Sequence, residues 1–230
     1  MNYHYGNLAE TVVKWLVETS NLERILSIDL ETKVLKENEF LTGELILCVS
    51  LSDFTDGEVC RKVFVLEREN LQSEGRLLAA VDDFLLQMRP LVLVGYNLCG
   101  YDIPLLNLKL RMHPEHIYWG IKDAIERSFP IDMKHPIRFE LAKYSTDGVP
   151  KILRLDKVVM HERWAELRLM RTKNLVSQTI SEKGRAIYRM WKKDRDKFNK
   201  YAEGDANDVL LMFEELFLKP LLTTPAELRR

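Results

Sequence analysis

Two acidic side chains stand two residues apart at the end of an apolar run in the first part of the chain. Asp29 and Glu31 follow the mostly apolar run 25–28, a pattern typical of a buried strand. Successive side chains of a strand point to opposite faces, so both carboxylates would lie on the same face. Neighbouring carboxylates repel each other and lose hydration, and a hard divalent cation held by oxygen ligands would compensate for both effects. The alternative is that the strand simply ends here and both acids are solvated.

Two further places along the chain carry residues of the same chemistry. Asp102 follows the short apolar run 91–97, which is typical of a strand buried on both faces, and it could instead cap a helix. Tyr201 and Asp205 lie four residues apart and would share one face of a helix. Asp208, three residues further on, shares that face roughly and could take the role of Asp205. The chain thus offers carboxylates from three separate places for one oxygen-rich site.

These acids need elements that bring them together, and the apolar pattern of the first hundred residues predicts such elements. In chain order the pattern indicates a helix over 8–19, strands over 24–30, 43–51 and 59–66, a helix over 70–88 and a strand over 91–97. The first three strands would form an antiparallel meander, with a loop over 33–39 and a turn at 56–57. The last strand would return through a right-handed crossover to lie beside the first. Because ligands of such sheets bind at the carboxyl ends of the strands, the acids should meet there.

The second half of the chain is richer in basic residues. Its pattern indicates a strand over 131–133, helices over 155–169 and 176–197, and a helix from 206 that Pro220 ends. Residues 157–200 contain thirteen Lys or Arg and five Asp or Glu, a surplus of eight positive charges that suits a polyanionic partner. Four aromatic residues are interleaved there: Trp164, Tyr188, Trp191 and Phe198. Basic groups for phosphates and aromatic faces for bases would form a groove for single-stranded nucleic acid, unless the aromatics anchor the core instead.

Composition limits the class of protein. The 230 residues are 46% hydrophobic and 30% charged with a net charge of −1, values typical of a globular protein. No stretch approaches the length of a membrane span, and the amino terminus shows no signal peptide. The three cysteines, Cys48, Cys60 and Cys99, lie in apolar strand-like runs and are expected to be buried free thiols. We therefore expect an intracellular, cytoplasmic protein without membrane contact.

In this order and at these distances, the polar residues resemble the three motifs of the DEDD 3′–5′ exonucleases. The residues that carry the resemblance stand in three groups: Asp29-Leu30-Glu31-Thr32, then Asn97 with Tyr101-Asp102, then Tyr201-x-x-x-Asp205. Over about residues 24–217 the chain is most similar to small stand-alone proteins related to the proofreading domain of family B DNA polymerases. Tyr201 places it in the tyrosine branch.

The resemblance implies a ribonuclease-H-like α/β fold. This fold has a mixed five-stranded sheet flanked by helices, with three antiparallel strands followed by parallel ones. A single domain would cover 1–230, with an amino-terminal helix and a short carboxy-terminal tail. Two departures from the family pattern stand out. Tyr101 replaces the commoner Phe, which is expected to be harmless, and Gly204 is a poor helix former that leaves the start of the last helix open.

The resemblance also implies the catalytic chemistry. Asp29, Glu31, Asp102 and Asp205 would converge and hold about two divalent ions, Mg²⁺ or Mn²⁺. One ion would activate a water for attack on the terminal phosphodiester, and the other would stabilise the leaving 3′ oxygen. Tyr201 would orient the attacking water, because a neutral phenol is too weak a base at pH 7.

The expected substrate is the 3′ end of single-stranded DNA, with Leu30, Thr32 and Asn97 as substrate-binding residues. Asp132 has no assigned role beyond capping or contact with a ligand residue. RNA remains an open alternative because nothing in the motifs reads the 2′ hydroxyl. A second alternative is a nucleic-acid clamp without activity, although retention of all four acids and the tyrosine argues against it. Self-association to enclose the strand would make the protein a homo-oligomer.

Overall fold

A five-stranded mixed sheet forms the centre of the protein. The computed structural model describes residues 2–35, 39, 41–55, 57–148, 154–170 and 180–223. The strands are β1 Ile25–Val34, β2 Glu44–Thr55, β3 Glu58–Val65, β4 Val92–Gly95 and β5 Phe129–Asp132. Their order across the sheet is β3-β2-β1-β4-β5, and β1 pairs antiparallel with β2 and parallel with β4. The predicted meander followed by parallel strands is thereby confirmed.

Helices cover both faces of the sheet. In chain order they are α1 Asn2–Glu18, α2 Leu71–Met88, α3 Asp102–Met112, α4 Trp119–Arg127, α5 Lys134–Ala142, α6 Leu155–Val158, α7 Ile180–Lys193, α8 Arg195–Phe213 and α9 Lys219–Thr223. A π-helical turn, Glu214–Leu218, joins α8 to α9. Two buried clusters fill the space between the layers, one mainly under α2, α4 and α7 and one under α1, α5 and the end of α8.

The first strand is longer than its sequence indicates. It runs through the two acids to Val34, whereas the sequence predicts that it ends near Leu30 and gives way to a loop. The reason is its partner, because β2 supplies ladder hydrogen bonds to β1 along its length, as far as the pair Val34–Glu44. A register shift between Glu31 and Thr32 marks a β-bulge just after the second acid, and such bulges re-aim side chains next to functional sites.

Of the two predicted basic helices, the first is wrong, and the second is confirmed over Ile180–Lys193. Residues 155–169 form only the short α6 and a 3₁₀ turn, Glu162–Trp164. Further on, the chain breaks at Asp194, whose carboxylate accepts a hydrogen bond from the backbone N–H of Lys197 at 3.0 Å and caps α8. Carboxylate caps of this kind stabilise a new helix start. As a result α8 begins eleven residues before the predicted start at 206 and carries Tyr201, Gly204 and Asp205 in mid-helix.

The end of the chain also differs from prediction. Pro220 does not end the last helix, because it is the second residue of α9, a position where its missing N–H is tolerated. The predicted tail beyond 223, the predicted helical residues 176–179, and parts of the predicted loop and turn at 36–38 and 56 lie outside the described residues.

The aromatic residues of the basic segment serve the core rather than a nucleic-acid groove. Trp164, Trp191 and Phe198 are buried, and only Tyr188 among the four keeps a partly exposed ring. The hydroxyl of Tyr188 donates to Glu69 at 2.7 Å. Bases cannot stack on the three buried rings, so the alternative interpretation, in which these residues anchor the core, is correct.

The prediction that all three cysteines are buried is wrong for two of them. Cys48 is buried on β2, but Cys60 and Cys99 are exposed because one lies on the edge strand β3 and the other on a surface turn. All three are free thiols. Within the described residues, no helix has the length and apolar character that crossing a bilayer requires.

Candidate active site

Three carboxylates from distant parts of the chain meet at one place. Asp29 and Glu31 lie on β1, and Asp205 lies near the middle of α8, which packs across the sheet. Each offers one oxygen, and these three oxygens lie within 4.8 Å of one another. Asp29 and Glu31 share a strand face because they are two residues apart, as the sequence indicates. We refer to Asp29, Glu31 and Asp205 as the acid cluster.

The fourth predicted ligand lies against the backbone between the first two. Asp102 is the first residue of α3, and its Oδ1 accepts a hydrogen bond from the N–H of Leu30 at 3.2 Å. Asp102 is not part of the group of oxygens within 4.8 Å. The side chain of Leu30, a predicted substrate contact, is buried in the hydrophobic core. Asp102 therefore ties the start of α3 to β1 and places a further buried carboxylate beside the acid cluster.

Burial and mutual repulsion disfavour negative charge on the acid cluster. Burial, followed by the charges of Asp205 and Asp102, raises the pKa of Asp29 well above its usual range. Its Oδ2 is buried and has no hydrogen-bond partner among the described residues. Burial also raises the pKa of Glu31 to about 8, an effect that Lys183 opposes and that Asp29 and Asp205 reinforce. Such crowding of buried acids is typical of a functional site rather than of a structural one.

A lysine that sequence reasoning missed reaches into this cluster. The Nζ of Lys183, on the first turn of α7, lies 3.9 Å from Oε1 of Glu31 and 3.7 Å from Oδ2 of Asp205. Burial by itself would lower the pKa of Lys183, but the charges of Glu31, Asp205 and Asp29 outweigh it and hold the pKa above its usual value. The only signal in the sequence is the excess of basic residues over 157–200, which does not single out this position.

Tyr201 lies one helical turn before Asp205 on α8 and points into the same region. Its side chain is buried, and its hydroxyl has no well-formed hydrogen bond to the described residues. Burial, together with the charges of Asp205 and Glu31, raises the pKa of Tyr201 well above its usual value. The phenol is therefore neutral at any physiological pH and is available as a hydrogen-bonding group beside the acids.

Asp132, which had no assigned role, shapes the loop that leads to Asp102. Its two carboxylate oxygens accept backbone N–H groups of Asn97 at 2.9 Å, Cys99 at 3.1 Å and Lys134 at 3.1 Å. Asn97 adopts a left-handed conformation with φ of 67°, which Asn tolerates better than most residues. Its side-chain oxygen accepts a hydrogen bond from Lys134 Nζ at 2.7 Å. Asn97 thus holds the turn at the end of β4.

Thr32, which follows Glu31 of the acid cluster, belongs to a partly buried group of hydrogen-bonded side chains. Its hydroxyl lies 2.7 Å from Oε2 of Glu44 and 2.7 Å from the hydroxyl of Tyr101. Tyr101 donates to the same carboxylate oxygen of Glu44. Thr32 follows one catalytic candidate and Tyr101 precedes another, so Glu44 connects the two motifs. The tyrosine at 101 gains a partner that phenylalanine could not have.

Asp208, the alternative to Asp205, has a different role. It is buried, and its Oδ1 accepts a hydrogen bond from the N–H of Met170 at 2.7 Å. On the same helix, a Cβ at Gly204 would lie 3.0 Å from the carbonyl oxygen of Met170. Glycine at 204 therefore allows the segment that ends at Met170 to approach α8, and the hydrogen bond to Asp208 holds that segment against the helix. Asp205 is the member of the pair that the structure places in the acid cluster.

Comparisons with known proteins agree with this architecture. The family described as "DNA polymerase family B, exonuclease domain" matches residues 9–168, which include β1 and Asp102 but not α8. No curated protein matches the chain in sequence. Among solved structures, the family B DNA polymerase of the hyperthermophilic archaeon Pyrobaculum calidifontis matches with a TM-score of 0.57 and 19% identity, covering 84% of this chain and 24% of the polymerase. The chain thus spans about a quarter of that protein's length, and the likeness confirms the predicted ribonuclease-H-like fold.

Proposed function

Because the chain belongs to the family of DNA polymerase family B exonuclease domains, we propose that it is a metal-dependent 3′–5′ exonuclease acting on single-stranded DNA. The observation that carries the proposal is the convergence of Asp29, Glu31 and Asp205 within 4.8 Å, with Asp102 beside them. Acids gathered in this way destabilise a fold unless they bind cations. A purely structural role would not explain their retention together.

The donor set fits a hard divalent cation. All the nearby ligand atoms are carboxylate oxygens, and Oδ2 of Asp29 is buried without a partner among the described residues. Such a set suits Mg²⁺ or Mn²⁺ rather than a soft metal. Asp29, Glu31 and Asp205 would hold the ions, with Asp102 as a further ligand. When bound, two such ions supply a nucleophilic water and stabilise the leaving 3′ oxygen.

The side chains around the acids would organise the reacting groups. Tyr201 stays neutral because its pKa is raised, so its hydroxyl can orient a water by hydrogen bonding but cannot accept the proton as a base. Asn97 lies in the turn after β4, and the Thr32–Tyr101 pair lies next in the chain to Glu31 and Asp102, so a terminal nucleotide could enter beside them. We propose these as the substrate-binding groups.

The exposed face of α7 would bind the phosphates of the strand. Arg185, Arg189 and Lys193 are exposed and lie four residues apart, so they share one face of the helix. Arg185 is two residues after Lys183, so this face lies on the solvent side of α7, away from the side that carries Lys183 towards the acid cluster. Phosphate contacts of this kind give affinity without sequence preference and weaken with salt. They would take the place of the predicted aromatic groove, because Trp164, Trp191 and Phe198 are buried in the core.

Labelled strands test the proposal directly. DNA and RNA oligonucleotides labelled at the 5′ or the 3′ end are incubated with Mg²⁺ or Mn²⁺. A ladder that shortens from the 3′ end of single-stranded DNA is expected, whereas faster shortening of RNA would indicate an exoribonuclease. Binding without shortening would indicate a clamp and would refute the enzymatic proposal.

A matched pair of variants links the activity to the site. Asp29→Ala should abolish cleavage while strand binding persists, because the phosphate contacts on α7 remain. Asp83→Ala, at an exposed acid of α2 away from the cluster, should leave both unchanged. Equal loss of cleavage and binding in Asp29→Ala would show that the binding surface is misplaced.

Self-association stays a prediction that analytical ultracentrifugation would test.

A further inference from the structure

We propose that Lys183 is an internal counter-ion of the acid cluster that a divalent ion must displace, so that this lysine sets the metal affinity of the site. The inference rests on the proposed function, because it assumes that the cluster binds metal. It concerns a residue outside the recognised motifs and outside the residues that the family match covers. It assigns to Lys183 a role in metal loading rather than in the chemical step.

The position of the ammonium is that of a cation bridging two ligands. Lys183 Nζ is 3.9 Å from Glu31 on β1 and 3.7 Å from Asp205 on α8, so it joins the two elements that carry the acid cluster. It also lies 5.6 Å from the ring centroid of Tyr201. About a fifth of its side chain is exposed. A surface lysine would not be held among these groups.

The charges make the ammonium and a metal ion competitors. Glu31 and Asp205 each belong to the acid cluster, and each is within ion-pair distance of the same nitrogen. A divalent ion bound to these carboxylates would lie within a few ångströms of the ammonium, where like charges repel strongly in a partly buried site. The metal can bind tightly only if the ammonium withdraws.

The lysine can withdraw without movement of its helix. Helix α7 is anchored beyond this residue, where Trp191 Nε1 donates to the carbonyl of Leu66 at 3.1 Å and Tyr188 donates to Glu69 at 2.7 Å. Lys183 itself lies in the first turn of α7 on a flexible four-carbon side chain. Rotation of that side chain would free Glu31 and Asp205 while the rest of α7 stays packed. Lysine would thus supply part of the counter-charge of the cluster in the absence of metal, and the metal would replace it on binding.

Titration with Mn²⁺ tests this role without an activity measurement. Binding of Mn²⁺ to the whole chain is followed by calorimetry and by electron paramagnetic resonance, in the absence of nucleic acid. Lys183→Met should bind Mn²⁺ about tenfold more tightly than the wild type, because the competing charge is gone. Lys183→Arg should remain close to the wild type, since it keeps the charge. Lys192→Met, which removes a lysine paired at 3.0 Å with Glu69, is the matched control and should have no effect.

A second measurement uses the wild type alone and does not depend on how a variant folds. Reductive methylation followed by peptide mass spectrometry reports how accessible each lysine is. The methylation rate of Lys183 relative to Lys192 should rise several-fold when Mn²⁺ is added. An unchanged rate, or equal Mn²⁺ affinity in Lys183→Met and the wild type, would overturn the role of Lys183 alone. Failure of both proteins to bind Mn²⁺ would overturn the metal site itself, and with it the proposed function.

Discussion

Replacing Glu31 by glutamine is expected to stabilise the metal-free protein at alkaline pH while abolishing its activity. The pKa of Glu31 is raised from 4.5 to about 8, chiefly by burial and further by Asp29 and Asp205, with Lys183 acting in the opposite sense. Glutamine has the same shape and carries no charge. The substitution therefore removes the cost of a buried charge with little change in packing.

The sign and size of the effect follow from proton linkage. A carboxyl group whose pKa is higher in the folded than in the unfolded state binds its proton more tightly when folded. Its contribution to the free energy of unfolding is therefore fully present below about pH 4.5 and is lost as the pH rises to about 8. At 1.36 kcal/mol per pH unit, this interval corresponds to about 5 kcal/mol. Because neighbouring acids share the titration, a single substitution should recover about 2–4 kcal/mol of it.

The assay is urea unfolding of the wild type and Glu31→Gln in EDTA at pH 4 and at pH 8.5. The two proteins should have equal free energies of unfolding at the lower pH, and the variant should be more stable at the higher one. Glu58→Gln, at an exposed position on β3, should change stability by less than about 0.5 kcal/mol at both pH values. Added Mn²⁺ should stabilise the wild type more than Glu31→Gln, since the variant lacks a ligand.

Equal stability of the two proteins at pH 8.5 would refute the reasoning. It would mean that Glu31 is solvated or fully compensated when no metal is present. The acid cluster would then have no electrostatic need for a cation, and the metal site would lose its physical basis.

Three further substitutions test separate parts of the structure. Tyr201→Phe should slow hydrolysis about tenfold to a hundredfold in single-turnover kinetics with little change in strand affinity, because it removes only a hydroxyl. Lys109→Met should lower the free energy of unfolding by about 3–5 kcal/mol in urea, since it breaks a fully buried ion pair of 3.0 Å, whereas Lys14→Met at an exposed pair should cost less than about 1 kcal/mol. Tyr101→Phe should cost about 1–3 kcal/mol by thermal unfolding, because the buried Glu44 carboxylate loses a donor.

Each of these has an outcome that would count against it. Undiminished hydrolysis by Tyr201→Phe would move the orienting role to another group. A similar cost for the two lysine substitutions would show that burial of Lys109 adds nothing to its pairing. A neutral Tyr101→Phe would mean that the Glu44 carboxylate finds an equal partner in water, as the family's usual phenylalanine suggests.

Local signals made much of the fold predictable, as well as the shared strand face of Asp29 and Glu31. The helix cap at Asn70, which accepts the N–H of Ser73 at 2.8 Å, follows from the preference of Asn for this position. The alternation of apolar residues located the meander, and the spacing of Asp29 and Glu31 placed both on one strand face. These features depend on a few consecutive residues, so one sequence contains the information.

Features set by tertiary contacts were not predictable. The aromatics Trp164 and Trp191 have residue types that suit either stacking or a core, and only packing decides between them. The break at Asp194 falls inside one continuous helical pattern and shows itself only as a capping residue. Lys183 reaches the acids because α7 lies beside β1, a contact that no local spacing encodes. The roles of Asp132 and Glu44 likewise arise from partners more than ten residues away.

The acid cluster combines Asp29 and Glu31 with Asp205, which is synthesised much later, and this separation affects when the site can assemble. Asp29, Glu31 and Asp102 are already synthesised when β5 emerges, but Asp205 arrives only with α8, near the end of the described residues. A nascent polypeptide therefore has an incomplete set of oxygen donors until its final long helix docks on the sheet. The order of translation therefore makes the docking of α8 the step that completes the candidate metal site.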